Sequence, residues 1–219
     1  MNESYDRGIA FIFEGATEKV FYRSLLKWIA RKNGCTFEKI VSEKDADLYY
    51  IWTHRSSKIL IKVNTVGAIT QITNTGKWFI NTCAKKHKVP WRVYLCYDTD
   101  NAQNDITKFY EGDWKLLRTD LKKTNAEVID LAASADIEDI MLYDIDSICS
   151  FLVIKVPGKI PGRKGKAKMK WLFRSCGSTY HEGEKAENMI SSLDFQKLIN
   201  RCPLKLKTLK EDLLNELHF

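Results

Sequence analysis

Gly8-Ile-Ala-Phe-Ile-Phe13 runs straight into Glu14-Gly15-Ala16-Thr17, and the pattern changes at Glu18. The first six residues form a short apolar run rich in strand formers. A glycine turn ends it, and Thr17 is placed to cap a following helix. From Glu18 to Lys32 the apolar residues Val20, Phe21, Leu25, Trp28 and Ile29 recur at helical spacing. The chain therefore opens as strand, tight turn and helix.

The same alternation continues outward. Phe37–Val41 is a candidate strand, and Leu48–Thr53 with Lys58–Val63 reads as a hairpin around the polar tip His54-Arg55-Ser56-Ser57. Residues 68–87 read as a helix that Asn74-Thr75-Gly76 divides. Trp91-Arg-Val-Tyr-Leu-Cys-Tyr97 is a clear strand, and it leads directly into Asp98-Thr99-Asp100. A helix over 104–124, a strand over Ala126–Ala132 and a helix from Ser134 to about Leu152 follow. This order implies an α/β domain with a mainly parallel sheet flanked by helices. Residues 1–152 form that unit, with a hairpin insertion at about 48–63. Residues 153–219 form a basic, partly helical C-terminal extension. Within it, 157–168 reads as a linker or loop, and Met189–Asn200 and Leu204–Leu217 read as helical.

Of the 219 residues, 44% are hydrophobic, an ordinary share for a globular chain. No apolar run reaches eighteen residues, and the polar N-terminus lacks the regions of a signal peptide. The six cysteines form no CxxC pair and the four histidines no zinc pattern. Reduced thiols in a cytoplasmic protein are the expectation. The net charge of +7 comes entirely from residues 151–219, which carry 14 basic and 7 acidic side chains. Lys155 to Arg174 holds eight basic residues and no acidic one. Such a stretch suits a polyanion such as nucleic acid, and equally a solvated surface.

Three acidic groups fall just past strand ends, the edge where open parallel sheets bind ligands. Glu14 follows the first strand, Asp98 and Asp100 the Trp91 strand, and Asp136, Glu138 and Asp139 the Ala126 strand. Glu14 and Glu18, four apart, can share one side of a helix start; Asp98 and Asp100, two apart, share one face of extended chain. Carboxylates without basic partners suit a hard divalent cation such as Mg²⁺, and a bound cation can serve phosphoryl chemistry. Asp136 and Glu138 equally suit a helix N-terminus.

Phe11-Ile-Phe-Glu14-Gly15-Ala-Thr17-Glu18-Lys-Val-Phe21-Tyr22 resembles the opening motif of TOPRIM domains in the OLD and RloB-like anti-phage defence proteins. Tyr94-Leu-Cys-Tyr-Asp98-Thr-Asp100 resembles the TOPRIM DxD strand, and Ser134-Ala-Asp-Ile-Glu138-Asp139 a later element of the RloB-like group. Lys170-Trp-Leu-Phe173, Tyr180, Gly183 and Leu193-Asp-Phe195 are loosely similar to that group's C-terminal region.

The resemblance implies a Rossmann-like TOPRIM fold. It implies Mg²⁺ (or Mn²⁺) on Asp98 and Asp100, Glu14 as ligand or general acid/base, and Glu18 and Glu138 at a second metal position. It further implies a nuclease that hydrolyses RNA (possibly tRNA) or DNA in anti-phage defence. Lys159, Arg163, Lys164, Lys166, Lys168 and Lys170 would then hold the nucleic acid. The alternative is a non-catalytic or partner-activated nucleic-acid-binding or toxin module, working with a separate ATPase. No membrane partner is expected, and the oligomeric state is left open.

Gly158-Lys-Ile-Pro-Gly162-Arg-Lys-Gly165-Lys166-Ala167 has some look of a phosphate loop, but its glycine spacing is wrong, Ala167 stands where Ser or Thr is needed, and no helix start is expected. His54, at the hairpin tip, reads as solvated.

Overall fold

The computed structural model describes residues 4–41, 48–99 and 109–214. β1 (Arg7–Phe13) is buried along its whole length, as its unbroken apolar run requires. α1 (Ala16–Asn33) follows, then β2 (Thr36–Val41), β3 (Leu48–His54) and β4 (Ser57–Thr65). One six-stranded sheet has the order β2-β3-β4-β1-β5-β6, with β5 at Trp91–Asp98 and β6 at Glu127–Ala133. β1 pairs in parallel with both β4 and β5, and β5 pairs in parallel with β6. Among these strands β3 alone runs against the others, pairing antiparallel with β2 and β4. The expected α/β fold with a mostly parallel sheet is thus present. The hairpin is built into it, because β4 lies directly against β1.

Alternate residues of β1 feed two cores. Ala10 and Ile12 face α2 (Ile72–Trp78) and α3 (Glu111–Lys122), through residues such as Ile72, Trp114 and Leu117. Ile9, Phe11 and Phe13 face α1 and the rest of the helices: α4 (Ile137–Met141), α5 (Ile145–Leu152), α6 (Gly165–Ser175), α7 (Glu187–Ser191), α8 (Phe195–Arg201) and α9 (Leu206–Leu214). Met169, Leu172, Phe195 and Leu209 of the C-terminal extension are buried in this second core. Among the described residues no helix is long and apolar enough to cross a membrane.

Several elements differ from the sequence expectation. The 68–87 helix changes character after Trp78 rather than at Gly76, winding more widely over Phe79–Ala84. Gly76 stays in the helix because its bare face lies against Leu117 and Asp120. The helix after β6 is broken at Leu142–Asp144. The Met189–Asn200 segment is broken before Phe195, where Asp194 accepts hydrogen bonds from Gln196 N and Lys197 N and starts α8 afresh. The first part of the expected 104–124 helix lies outside the described residues. The stretch read as a linker ends in α6, which starts at Gly165 where no helix start was expected.

α9 closes the far end of the sheet. Its Asp212 carboxylate accepts from Arg92 and from the Tyr94 hydroxyl, while Arg7 donates to its carbonyl. Trp52 Nε1 donates to Leu213 O at 3.0 Å, and His54 Nδ1 lies 2.9 Å from Leu214 O. His54 is therefore a tether for the extension, not a solvated tip. Arg7 and Arg92 are buried, so removing the Asp212 carboxylate takes one of two carboxylate partners from Arg92 and a neighbouring negative charge from Arg7, which keeps its bond to the carbonyl. Asp212→Ala should cost about 2–4 kcal/mol. That is a fall in Tm of roughly 10 °C for a chain of this length, read by thermal unfolding.

Candidate functional site

The site grows from the C-terminal ends of β1, β5 and β6. Register places Phe13 beside Cys96, and Glu14 N extends the ladder by donating to Cys96 O at 2.9 Å. The Glu14 side chain then turns across to β5, where its Oε2 accepts the Asp98 N–H at 3.0 Å. Glu18 stands one turn into α1 and is 6% exposed. Its carboxylate curls back over the turn: a Cβ on Gly15 would sit 2.9 Å from Glu18 Oε2. Gly15 is extended, so its backbone does not require glycine, and a Cβ there would displace only the tip of the Glu18 side chain. Thr17 does not cap α1; Gly15 occupies that position. The Thr17 hydroxyl instead accepts from Gly183 N at 3.0 Å.

The β6 end works differently. Asp136 caps α4, its Oδ1 accepting from Asp139 N at 3.0 Å. Its Oδ2 accepts from Lys166 N, also at 3.0 Å, in the first turn of α6. One carboxylate thus satisfies two helix starts. Gly165 makes this possible, since a Cβ there would lie 2.1 Å from Asp139 N and 2.3 Å from Asp136 Oδ1. Asp136 is a structural cap, and Asp139 pairs with Lys168 at 2.9 Å. Asp136 and Glu138 both line the cleft, but only Glu138 has a carboxylate not taken up by helix starts. It is buried and accepts from the Tyr180 hydroxyl at 2.8 Å.

Glu14, Glu18, Asp98 and Glu138 line one cleft of about 950 Å³. Arg163, Lys164, Lys166 and Lys170 line it too, brought there by α6. Lys166 is held by Glu182 at 2.6 Å. Lys168 faces Asp139, and Lys159 is an exposed residue that does not line the cleft. Asp100 lies outside the described residues. Two contacts escaped sequence reasoning, Tyr180 to Glu138 and Thr17 to Gly183. Each spans 42 residues or more, so no local spacing could announce it.

The electrostatics follow from crowding like charges. Burial, then the charges of Glu18, Glu14 and Glu138, push the Asp98 carboxyl up to about 10. Burial pushes Glu18 up to about 7, with Glu14 and Glu138 adding to it. Burial likewise lifts Glu138 to about 7, against the opposing hydrogen bond from Tyr180. Asp98 Oδ1 is buried and has no hydrogen-bond partner among the described residues. That orphaned oxygen, within an all-oxygen anionic donor set, fits a proton or a hard cation. Among the described residues no three His, Cys, Asp or Glu side chains close on one point as the ligands of an ion would.

No family model and no curated protein matches the chain. Solved structures with some likeness include a futalosine hydrolase mutant of Helicobacter pylori strain 26695, at 8% identity, TM-score 0.27, covering 91% of this chain and 100% of that one. Another is the 5'-methylthioadenosine/S-adenosyl homocysteine nucleosidase of Helicobacter pylori, at 12% identity, TM-score 0.27 and coverage of 91% and 100%. A third is a putative 5'-methylthioadenosine/S-adenosylhomocysteine nucleosidase from Francisella philomiragia, at 10% identity, TM-score 0.29 and coverage of 90% and 100%.

The expectation of a nucleic-acid-cleaving nuclease in anti-phage defence, with its toxin-module alternative, is corrected here. The named neighbours are nucleosidases and a futalosine hydrolase, not nucleases. At such TM-scores the likeness carries no argument for the activity of this chain, so the neighbours' own activities are not transferred to it.

The raised carboxyls have a direct consequence for stability. A carboxyl whose folded pKa lies above its unfolded value favours the fold below about 4, and that advantage is lost as pH rises toward the folded value. For Glu18 the window runs from 4.5 to about 7. Metal-free wild type should therefore lose stability relative to Glu18→Gln between pH 5 and 8. The variant should be about 2–5 °C more stable at pH 8 and nearly equal at pH 4, read by thermal unfolding in chelator.

Proposed function

We propose that the cleft holds Mg²⁺ or Mn²⁺ and carries out hydrolysis at a phosphate group of its substrate. The observation that carries this reading is the orphaned Asp98 Oδ1, buried among Glu14, Glu18 and Glu138 and faced by the cations of α6. Asp98 and Glu14 would hold the ion, with Glu18 and Glu138 completing the donor set. When bound, a hard divalent cation supplies charge neutralisation and Lewis acidity at phosphorus. The parallel pairing that sets Glu14 beside Asp98 supports a TOPRIM-type arrangement of these ligands.

The chain's own groups divide the remaining work. Arg163 and Lys170 have exposed side chains at the cleft wall and would bind non-reacting phosphate oxygens. Glu18 and Glu138, both near 7 in the metal-free cleft, would give up their protons as the cation binds. α6 forms one wall of the cleft.

The test uses bis(p-nitrophenyl) phosphate and p-nitrophenyl phosphate, with adenosine as a nucleoside control. Wild type should release nitrophenolate only with Mg²⁺ or Mn²⁺, and Asp98→Asn or Glu14→Gln should lower the rate about 100-fold. Hydrolysis that survives chelation, hydrolysis unaffected by both substitutions, or cleavage of adenosine with neither ester touched would contradict the reading.

A further inference from the structure

The C-terminal segment around Tyr180 reaches two of the elements that carry a carboxylate of the cleft, α1 and α4, and the neighbouring α6. Gly183 N donates to Thr17 in the first turn of α1, and Gly183 packs so closely there that a Cβ would lie 3.2 Å from the Cβ of Ala16. Glu182 pairs with Lys166 of α6 at 2.6 Å. Between them the Tyr180 hydroxyl donates to Glu138 Oε1 at 2.8 Å. Tyr180 is 5% exposed and its ring meets Phe173 edge-on, with centroids 5.3 Å apart. A phenol so confined has one donor and one place to put it. Glu138 is equally buried, and the bond to Oε1 pins the carboxylate while leaving it lone pairs for a ligand.

We propose that Tyr180 is a positioning residue: its hydroxyl fixes the rotamer of Glu138 so that the carboxylate serves the divalent cation. This rests on the metal reading above and extends it to the tail, which becomes part of the site rather than an appendage. Partners that orient ligands from behind typically change metal affinity by 10–100-fold when removed. Tyr180→Phe keeps the ring against Phe173 and removes only the donor.

The experiment titrates Mn²⁺ into the full chain by calorimetry, comparing wild type, Tyr180→Phe, Glu138→Gln and the double variant. Tyr180→Phe should weaken Mn²⁺ binding about tenfold. Because Tyr180 acts through Glu138, the double variant should bind about as weakly as Glu138→Gln alone. Losses that multiply in the double variant, or wild-type affinity in Tyr180→Phe, overturn the role of Tyr180 while leaving the metal reading intact. No Mn²⁺ uptake by wild type overturns both. A full chain carrying 3-fluorotyrosine at position 180 gives a second readout that needs no deletion. Its fluorine resonance should shift when Mg²⁺ is added, and an unmoved resonance in a protein that binds Mg²⁺ contradicts the proposal.

Discussion

Carboxylates cannot crowd into a water-poor cleft as anions unless something offsets their repulsion. Here the offset comes from protons and backbone donors. Asp98 is pushed to about 10, Glu18 and Glu138 to about 7, and Glu14 leans on the Asp98 N–H. The parallel β1–β5 register forces this crowding, because it sets the end of one strand beside the end of the other. Everything around the cleft then serves to hold charges that would otherwise separate.

The extension does much of that holding. Asp136 starts both α4 and α6, and so draws the basic segment across the cleft. At the opposite end of the sheet, Asp212 binds α9 to Arg7, Arg92 and Tyr94. Asp136 is buried and Asp212 partly so, and each is met by donors, the condition under which a carboxylate away from water is tolerated. The cations brought in by α6 stand near the carboxylates without neutralising them: Lys166 is already paired with Glu182, and Lys168 with Asp139.

Much of this was legible in the sequence, for physical reasons that can be named. Gly8–Phe13 and Trp91–Tyr97 announced their strands because buried parallel strands need unbroken apolar runs. Glu14 and Asp98 followed, since strand ends are local features. Glu18 was readable from its spacing, though the cap assigned to Thr17 went to Gly15. The start of α6 was not readable. Glycine, proline and lysine over 158–166 signal a loop, and the helix begins because Asp136, thirty residues earlier, accepts from Lys166 N. Tyr180 and His54 were misread or missed for the same reason, as their partners lie 42 and 160 residues away. The substrate was the least legible feature. A basic stretch reads alike whether it meets a polymer, a small phosphate or solvent, and the nuclease expectation drew on it.

The central claim is that these carboxylates form one cation site. Crystals soaked in Mn²⁺ and measured for anomalous scattering test it most directly. A single site should give a peak in the cleft in contact with Asp98 and Glu14, with the Glu138 carboxylate turned toward it and still bonded to Tyr180. Ordered carboxylates with no peak between them, or manganese bound only at other surfaces, would contradict it.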